Sequence, residues 1–190
     1  MESDSELLAR WRAGDQSAGD DLVSRHFAPL SRFFRSKVGA DAADLISATF
    51  LACVEARDRI GEAGFRAYLY GVARRRLADH FRGQREAIDL AEISIADLRT
   101  SPSGKLARAE SGALLRAALE TIPADDQIAL ELAYWEELSG PEIAAVIGVN
   151  ANTVRSRLSR ARGRLRAALA ALGTAEEAAL AEKKLTESGE

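Results

Sequence analysis

Between Ser139 and Arg166 the local signals leave the backbone little choice. Ser139-Gly140-Pro141-Glu142 has the form of a capping box, in which the Ser hydroxyl accepts from the Glu142 amide and the Glu carboxylate reaches back to the Ser amide. Pro141 falls in the first helical turn, where its missing N–H breaks no helical bond. Ile143, Ala144 and Ile147 follow at helical spacing, and the helix then meets Gly148, which can take the left-handed conformation that ends a helix. Asn150 is a good N-cap for a second helix from Ala151 onward. Two short helices joined by a tight glycine turn make a helix-turn-helix.

In the second of these helices Val154, Leu158, Ala161 and Leu165 recur at steps of four, three and four, so they face inward. Asn152, Thr153, Arg155, Ser156, Ser159 and Arg160 are left facing outward or flanking. Arginine can fork onto a guanine edge, asparagine onto adenine, and small hydroxyls onto phosphates or bases, so the outer set has the residue types of a major-groove reader. Arg157, Arg162, Arg164 and Arg166 are expected beside phosphates, where they add affinity without sequence choice. Neutralising about six phosphates would give log affinity a slope of roughly −5 against log salt. The plainer alternative is a helical hairpin with an arginine-rich exposed side. Cap, turn, inward stripe and acid-free outer face agree with one another and weigh against it.

Charge elsewhere is segregated rather than mixed. From Phe65 to Arg85 there are six arginines (Arg66, Arg74, Arg75, Arg76, Arg82 and Arg85) and one acid, Asp79, for a net +5. From Ile147 to Leu172 there are six more and no acid, a net +6. Between them, Arg108 to Val146 holds eight acids against two arginines, a net −6. The overall charge of −3 conceals this pattern, which points to two polyanion-facing surfaces on an acidic body.

The rest of the chain reads as helix. Leu7, Leu8 and Trp11, then Leu22, Val23, Phe27, Leu30, Phe33 and Phe34, recur at spacings of three and four, with Gly14-Asp15 between them. Asp41 to Arg57 forms a third helix, with Leu45, Ile46, Thr49, Phe50, Cys53 and Val54 on one stripe. Gly61-Glu62-Ala63-Gly64 is a loop. Phe65 to Arg82 is a fourth helix, with Phe65, Leu69, Val72, Ala73, Leu77 and Phe81 inward. Ser101-Pro102-Ser103-Gly104 sits among scattered apolar residues, which marks a flexible connection. The expected organisation is all-α: a helical domain over 1–85, a linker over 86–107, a helix-turn-helix domain over 108–172 and a disordered tail over 173–190. Only one cysteine, Cys53, and two histidines, His26 and His80, are present, too few for a disulfide or a structural zinc site. There is no Gly-rich phosphate loop and no Ser-His-Asp set, so an enzyme has little support and neither cofactor nor metal is expected. No apolar run is long enough to insert in a membrane, and the acidic N-terminus is not a signal sequence, so a cytoplasmic protein is expected.

Leu7-Leu8-Ala9-Arg10 and Ala13-Gly14-Asp15, then Asp44-Leu45 with Thr49-Phe50-Leu51, then Phe65 to Arg74 with Asp79-His80, resemble the sigma-2 domain of bacterial extracytoplasmic-function (ECF) RNA polymerase sigma factors. Ile122-Pro123, Ser139 with Glu142-Ile143-Ala144, Gly148-Val149 and Thr153 to Arg162 similarly resemble the sigma-4 domain. The resemblance implies a dissociable, non-enzymatic subunit of RNA polymerase that docks on the clamp and flap of the large subunits. It places Asp44, Leu45, Thr49 and Phe50 on the polymerase-binding helix. It assigns the loop Gly61, Glu62, Ala63 and Gly64 to capture of an unstacked −10 base, with Arg74, Arg75, Asp79, His80 and Arg82 near the melted strand. It makes Asn152, Thr153, Arg155, Ser156 and Arg160 readers of the −35 element, with Arg157 and Arg162 beside them. An anti-sigma protein that holds the two domains together in the inactive state is a common partner in the family.

Capture of single-stranded bases needs a cationic groove with stacking or apolar walls, and Tyr68, Tyr70 and Phe81 interleave with the arginines of the fourth helix, with Phe81 expected in the core rather than in contact. Tyr68 and Arg75 stand where the family usually has Trp and Asn, Ala124-Asp125-Asp126-Gln127 where basic residues are common, and Pro141 where an aromatic or acidic residue is frequent. Together these departures suggest an unusual promoter preference. The linker acids Glu86, Asp89, Glu92 and Asp97 are expected to thread a basic polymerase channel. The competing reading is a stand-alone dimeric helix-turn-helix regulator, which would bind a palindrome without polymerase.

Overall fold

The structure, a computed structural model, describes residues 2–61, 64–83, 88–98, 111–173, 179, 180 and 183. Among them the regular elements are helices, with one isolated bridge between Ser94 and Pro123. In the N-terminal half, α1 (Asp4–Arg12) opens on a capping box in which Glu6 N–H donates to the Ser3 hydroxyl and Ser3 N–H donates to the Glu6 carboxylate. Gly14, at φ +100°, turns the chain, and Asp15 caps α2 (Gln16–Val38) by accepting from Ser17 N–H at 3.0 Å. Next come α3 (Ala42–Ala56) and α4 (Gly64–Arg82). The inward residues expected of α4 are all buried, and α4 packs against α1, α2 and α3.

After α5 (Ile95–Leu98), the C-terminal half is built from α6 (Ser111–Thr121), α7 (Ala124–Tyr134), α8 (Gly140–Ile147) and α9 (Ala151–Leu172). The punctuation around α8 follows the sequence. Ser139 N–H and hydroxyl both donate to the Glu142 carboxylate, at 2.8 and 2.6 Å, and Gly148 ends α8 at φ +72°. Asn150 caps α9, accepting from Asn152 N–H at 2.9 Å. Leu114, Leu115, Leu119, Ile122, Leu130, Ala161, Leu165 and Leu169 give this half a core of its own.

The two halves are nonetheless packed together. A single apolar cluster runs from α1–α4 through Ile128, Leu132, Leu138, Ile143 and Ile147, and α8 lies along α4. The start of the connection is held more firmly than its composition suggested. Leu90, Ile95 and Leu98 are buried, Ile93 O accepts from Ala124 N–H and Leu90 O from Asp125 N–H, both at 2.8 Å. Apolar residues two to five apart are too few to show helical periodicity, yet sufficient to anchor a short strap. Asp89 and Asp97 are engaged there, accepting from Ala91 N–H and from the Ser94 hydroxyl. This segment is therefore not free to thread a channel in this conformation; Glu86 and residues 99–107 lie outside the described residues.

Phe27 and Val54, expected inward, are 51% and 41% exposed. Each lies at the margin of its helix's apolar stripe, and among the described residues no further element covers α2 and α3 on that side. Cys53 is buried as expected, and burial pushes its thiol up to about 12.

The contact between α1 and α2 and the interior of α4 can each be tested by substitution. A Cβ on Gly19 would come within 2.6 Å of Trp11 Nε1, whereas one on Gly71 in α4 would meet nothing within 4 Å. Gly19→Ala should lower stability by about 1–3 kcal/mol, and Gly71→Ala should raise it by about 0.5–1 kcal/mol, both read from urea unfolding. Asp4 joins the same helices: burial alone would raise its carboxyl, but His26 at 2.7 Å and Arg25 at 2.6 Å outweigh burial and hold it at about 2. Since that value lies below the unfolded one, the contribution of Asp4 is complete above about pH 4 and fades as pH falls towards 2. Asp4→Asn should remove that part of the acid dependence of stability.

Candidate nucleic-acid interface

Burial of Val154, Ala161, Leu165 and Leu169 turns the opposite side of α9 to solvent. Asn152, Arg155, Ser156, Arg160 and Arg162 are exposed there, and Thr153 is half-buried at the edge. Ser156 hydroxyl donates to Thr153 O at 2.9 Å, and Arg162 Nη1 donates to the Tyr134 hydroxyl at 3.3 Å. This face carries donors, acceptors and positive charge along one helical edge that nothing else among the described residues covers.

Arg157 departs from the expectation. It turns inward, with Nη1 3.6 Å from Asp125 Oδ2 and 3.9 Å from Asp126 Oδ1, and Arg164 pairs with Asp126 as well. Helical arithmetic contained the signal: Arg157 stands three residues after Val154 and four before Ala161, on the buried stripe itself. The Asp125-Asp126 pair, 2% exposed at each residue, occupies the first turn of α7, where helix N–H groups favour anions.

The second cationic surface lies on α4. Arg75, Arg76, Asp79 and Arg82 are exposed, with Asp79 and Arg82 paired at 3.1 Å. His80 is half-buried, edge-on to Phe81 and 3.7 Å from Asp41. Arg74 reaches the other half of the molecule: its Nε and Nη2 form a fork with the two carboxylate oxygens of Asp125 at 2.6 and 2.8 Å. Gly61 and Gly64 are joined by a Gly64 N–H to Gly61 O bond at 3.1 Å, and Arg12 fixes the approach by donating to Arg57 O and Ile60 O. Glu62 and Ala63 lie outside the described residues. Phe81 is buried in the core as expected, and Tyr70 is buried there too rather than walling a groove; Tyr68 is half-buried.

On the helix expected to meet polymerase, Asp44 is exposed and Leu45 half-buried. Thr49 and Phe50 lie beneath the surface. Thr49 is fully buried, its hydroxyl donating to Leu45 O at 2.6 Å, and Phe50 is stacked under Phe27 with ring centroids 6.3 Å apart. The apolar residues at this surface are instead Phe27, Leu51 and Val54. Leu51 and Val54 stand seven and ten residues after Asp44, which puts all three on one stripe of α3. Among the described residues no group of His, Cys, Asp or Glu could hold a metal ion, and no helix is long and apolar enough to cross a membrane.

Sequence comparison matches the profile of Sigma-70 region 2 to residues 22–87 and that of Sigma-70, region 4 to residues 113–165. The chain is 30% identical over 166 residues to ECF RNA polymerase sigma factor BldN of Streptomyces coelicolor, covering 82% of this chain and 62% of that one. It is 28% identical over 181 residues to RNA polymerase sigma factor CnrH of Cupriavidus metallidurans, covering 88% and 95%. Among solved structures, CnrH in complex with the cytosolic domain of CnrY superposes with a TM-score of 0.65 at 26% identity, covering 90% of this chain and all of that one. RpoE of Bartonella quintana, in complex with the anti-sigma factor NepR, shares the fold with a TM-score of 0.59 at 24% identity.

The outward and inward arginines of α9 should separate in stability measurements. Arg155→Ala should leave the thermal midpoint essentially unchanged, whereas Arg157→Ala, which removes a cation from two buried carboxylates, should cost about 1–3 kcal/mol.

Proposed function

This chain belongs to the sigma-70 family of RNA polymerase sigma factors, in its ECF group, and we propose that it binds core polymerase, recognises −35 and −10 promoter elements and promotes melting at the start of transcription. The observation that carries the reading is the presence of two unlike cationic helices, the outer edge of α9 on a helix-turn-helix and the outer edge of α4 beside the Gly61 turn. A single DNA-reading helix would account for only one of them.

In this reading Asn152, Thr153, Arg155, Ser156 and Arg160 read the −35 duplex, with Arg162 on phosphate. Arg74, Arg75, Asp79, His80 and Arg82, with the 61–64 turn, meet the −10 strand. Asp44 and Leu45, together with Phe27, Leu51 and Val54, form the surface for the polymerase clamp, and Thr49 and Phe50 shape it from below. The protein catalyses nothing itself and works at the nucleoid in the bacterial cytoplasm. A regulatory protein partner belongs to the proposal, since CnrH is solved with the cytosolic domain of CnrY. A cavity of about 410 Å³ between the halves, lined by Phe33, Tyr70, Leu119, Leu132 and Trp135, offers apolar side chains of such a partner a place to seat. A stand-alone dimeric regulator is not favoured, because it leaves the α4 surface without a use.

Run-off transcription with core polymerase on a promoter library tests this directly. Transcripts should depend on the added chain, and the complex should protect two unlike elements. Arg155→Ala should lose about 1–3 kcal/mol and relax the preference at one −35 position. A palindrome bound tightly by the chain alone, with no transcripts, would overturn the reading.

A further inference from the structure

After α3 the chain makes one tight 3₁₀ turn, Arg57–Arg59, and Ile60 leaves it extended at φ −63° and ψ 120°. Carbonyl groups at the end of a helix have no partner within it, and a cationic side chain from elsewhere can serve them. Arg12, the last residue of α1, does so: its Nε donates to Arg57 O at 2.9 Å and its Nη2 to Ile60 O at 2.5 Å. The guanidinium is planar and rigid, so it holds the two carbonyls at one separation and one angle. Ile60 is itself buried, and Gly61 therefore starts from a fixed point. On the far side Gly64, at φ +82°, takes a conformation that residues with side chains rarely adopt, and its N–H donates to Gly61 O at 3.1 Å. Phe65 follows, buried and edge-on to Trp11 with ring centroids 6.5 Å apart. Two neighbouring residues of α1 thus hold the approach and the exit.

We propose, resting on the −10 role given above to Gly61 and Gly64, that Arg12 is a positioning residue for recognition of the −10 base. It acts through Arg57 O and Ile60 O rather than on DNA, and sets where Gly61 and Gly64 present the backbone to an unstacked base. Recognition of that kind needs groups held within about 0.5 Å of their productive places. A small shift of the frame therefore removes discrimination between bases before it removes attraction to the strand. The choice of residue type fits this role. An arginine that only draws in phosphate can be replaced by any cation, whereas a clamp on two carbonyls needs the fork. Arg10, two residues earlier on the same helix, has different partners: it pairs with Glu2 at 2.7 Å and with Asp15 at 2.5 Å. One exposed arginine of α1 thus serves its own helix and the next one's cap, and the other serves the turn.

The test assembles the full chain with core polymerase and runs off transcripts from a library in which the −10 and −35 elements are randomised in turn. Wild type should show a base preference at one −10 position or more. Arg12→Ala should flatten that preference about fivefold, the equivalent of one net hydrogen bond. The −35 preferences should stay within about twofold of wild type. A residue that only stabilised the fold would lower transcripts from every promoter together and leave both sets of preferences standing. Arg12→Lys keeps the charge but cannot bridge two carbonyls in one plane, and should flatten the −10 preference as the alanine does. Arg10→Ala removes the same charge from the same helix and should leave the −10 preference within about twofold of wild type. Hydrogen exchange of the free chain gives a second readout, in which Gly64 N–H should exchange at least about tenfold faster in both Arg12 variants than in the Arg10 variant. Should Arg12→Ala lose its helices by circular dichroism, Arg12→Lys decides. Full −10 preference in Arg12→Lys, a common fall of the −10 and −35 preferences, or unchanged exchange at Gly64 overturns the positioning role. A wild type that directs no transcripts, or shows no −10 preference, overturns instead the reading on which that role rests.

Discussion

Two adjacent carboxylates at 2% exposure are tolerable in a fold only if cations come to them, because stripping water from an ion costs several kcal/mol. At Asp125 and Asp126 three arginines do so, from two helices far apart in sequence. The cost of burying the acids is therefore offset only when α4, α7 and α9 are brought together at once. Buried ion pairs add little net stability compared with well-packed apolar groups, but they discriminate sharply between arrangements that satisfy them and arrangements that do not. The apolar cluster supplies most of the cohesion between the halves, and the aspartates select one way of packing them.

Lys37 follows the same logic on a smaller scale. It is fully buried on α2, donates to Glu131 of α7 and to Phe33 O, and lies 4.0 Å above the Phe33 ring. A lysine there is stable only while α7 stays in place. The N-terminal half thus contains polar groups whose satisfaction depends on the C-terminal half, which distinguishes this packing from a casual contact between two independent domains.

What the sequence made legible was the set of interactions closed within three or four residues. The capping box at Ser139, the left-handed Gly148, the Asn150 cap and the inward stripes of α4 and α9 are decided locally, and the structure has them. Matters decided by distant elements were hidden. Periodicity could place Phe27, Thr49, Phe50 and Val54 near an apolar stripe, but which of them another helix would cover depends on where α2 and α3 run out of neighbours. Arg157 could be counted among outward arginines because charge suggested solvent, although its position on the buried stripe said otherwise. Asp125 and Asp126 stood out as a departure from a familiar pattern, yet nothing local revealed that their partners lie some 50 residues before and 30 after. In the candidate site, the exposed edge of α9 was the most legible part, and the surface proposed for polymerase the least.

Because the core of α1–α4 continues without a break into α7 and α8, parting the halves strips oil from oil. Ile143 and Ile147 belong to that shared region, and wetting a side chain of their kind costs about 1.5–3 kcal/mol. Detachment into bare water is thus an expensive route. Any surface that covered each apolar face as the halves parted would lower that cost, because the exposed area would never meet water.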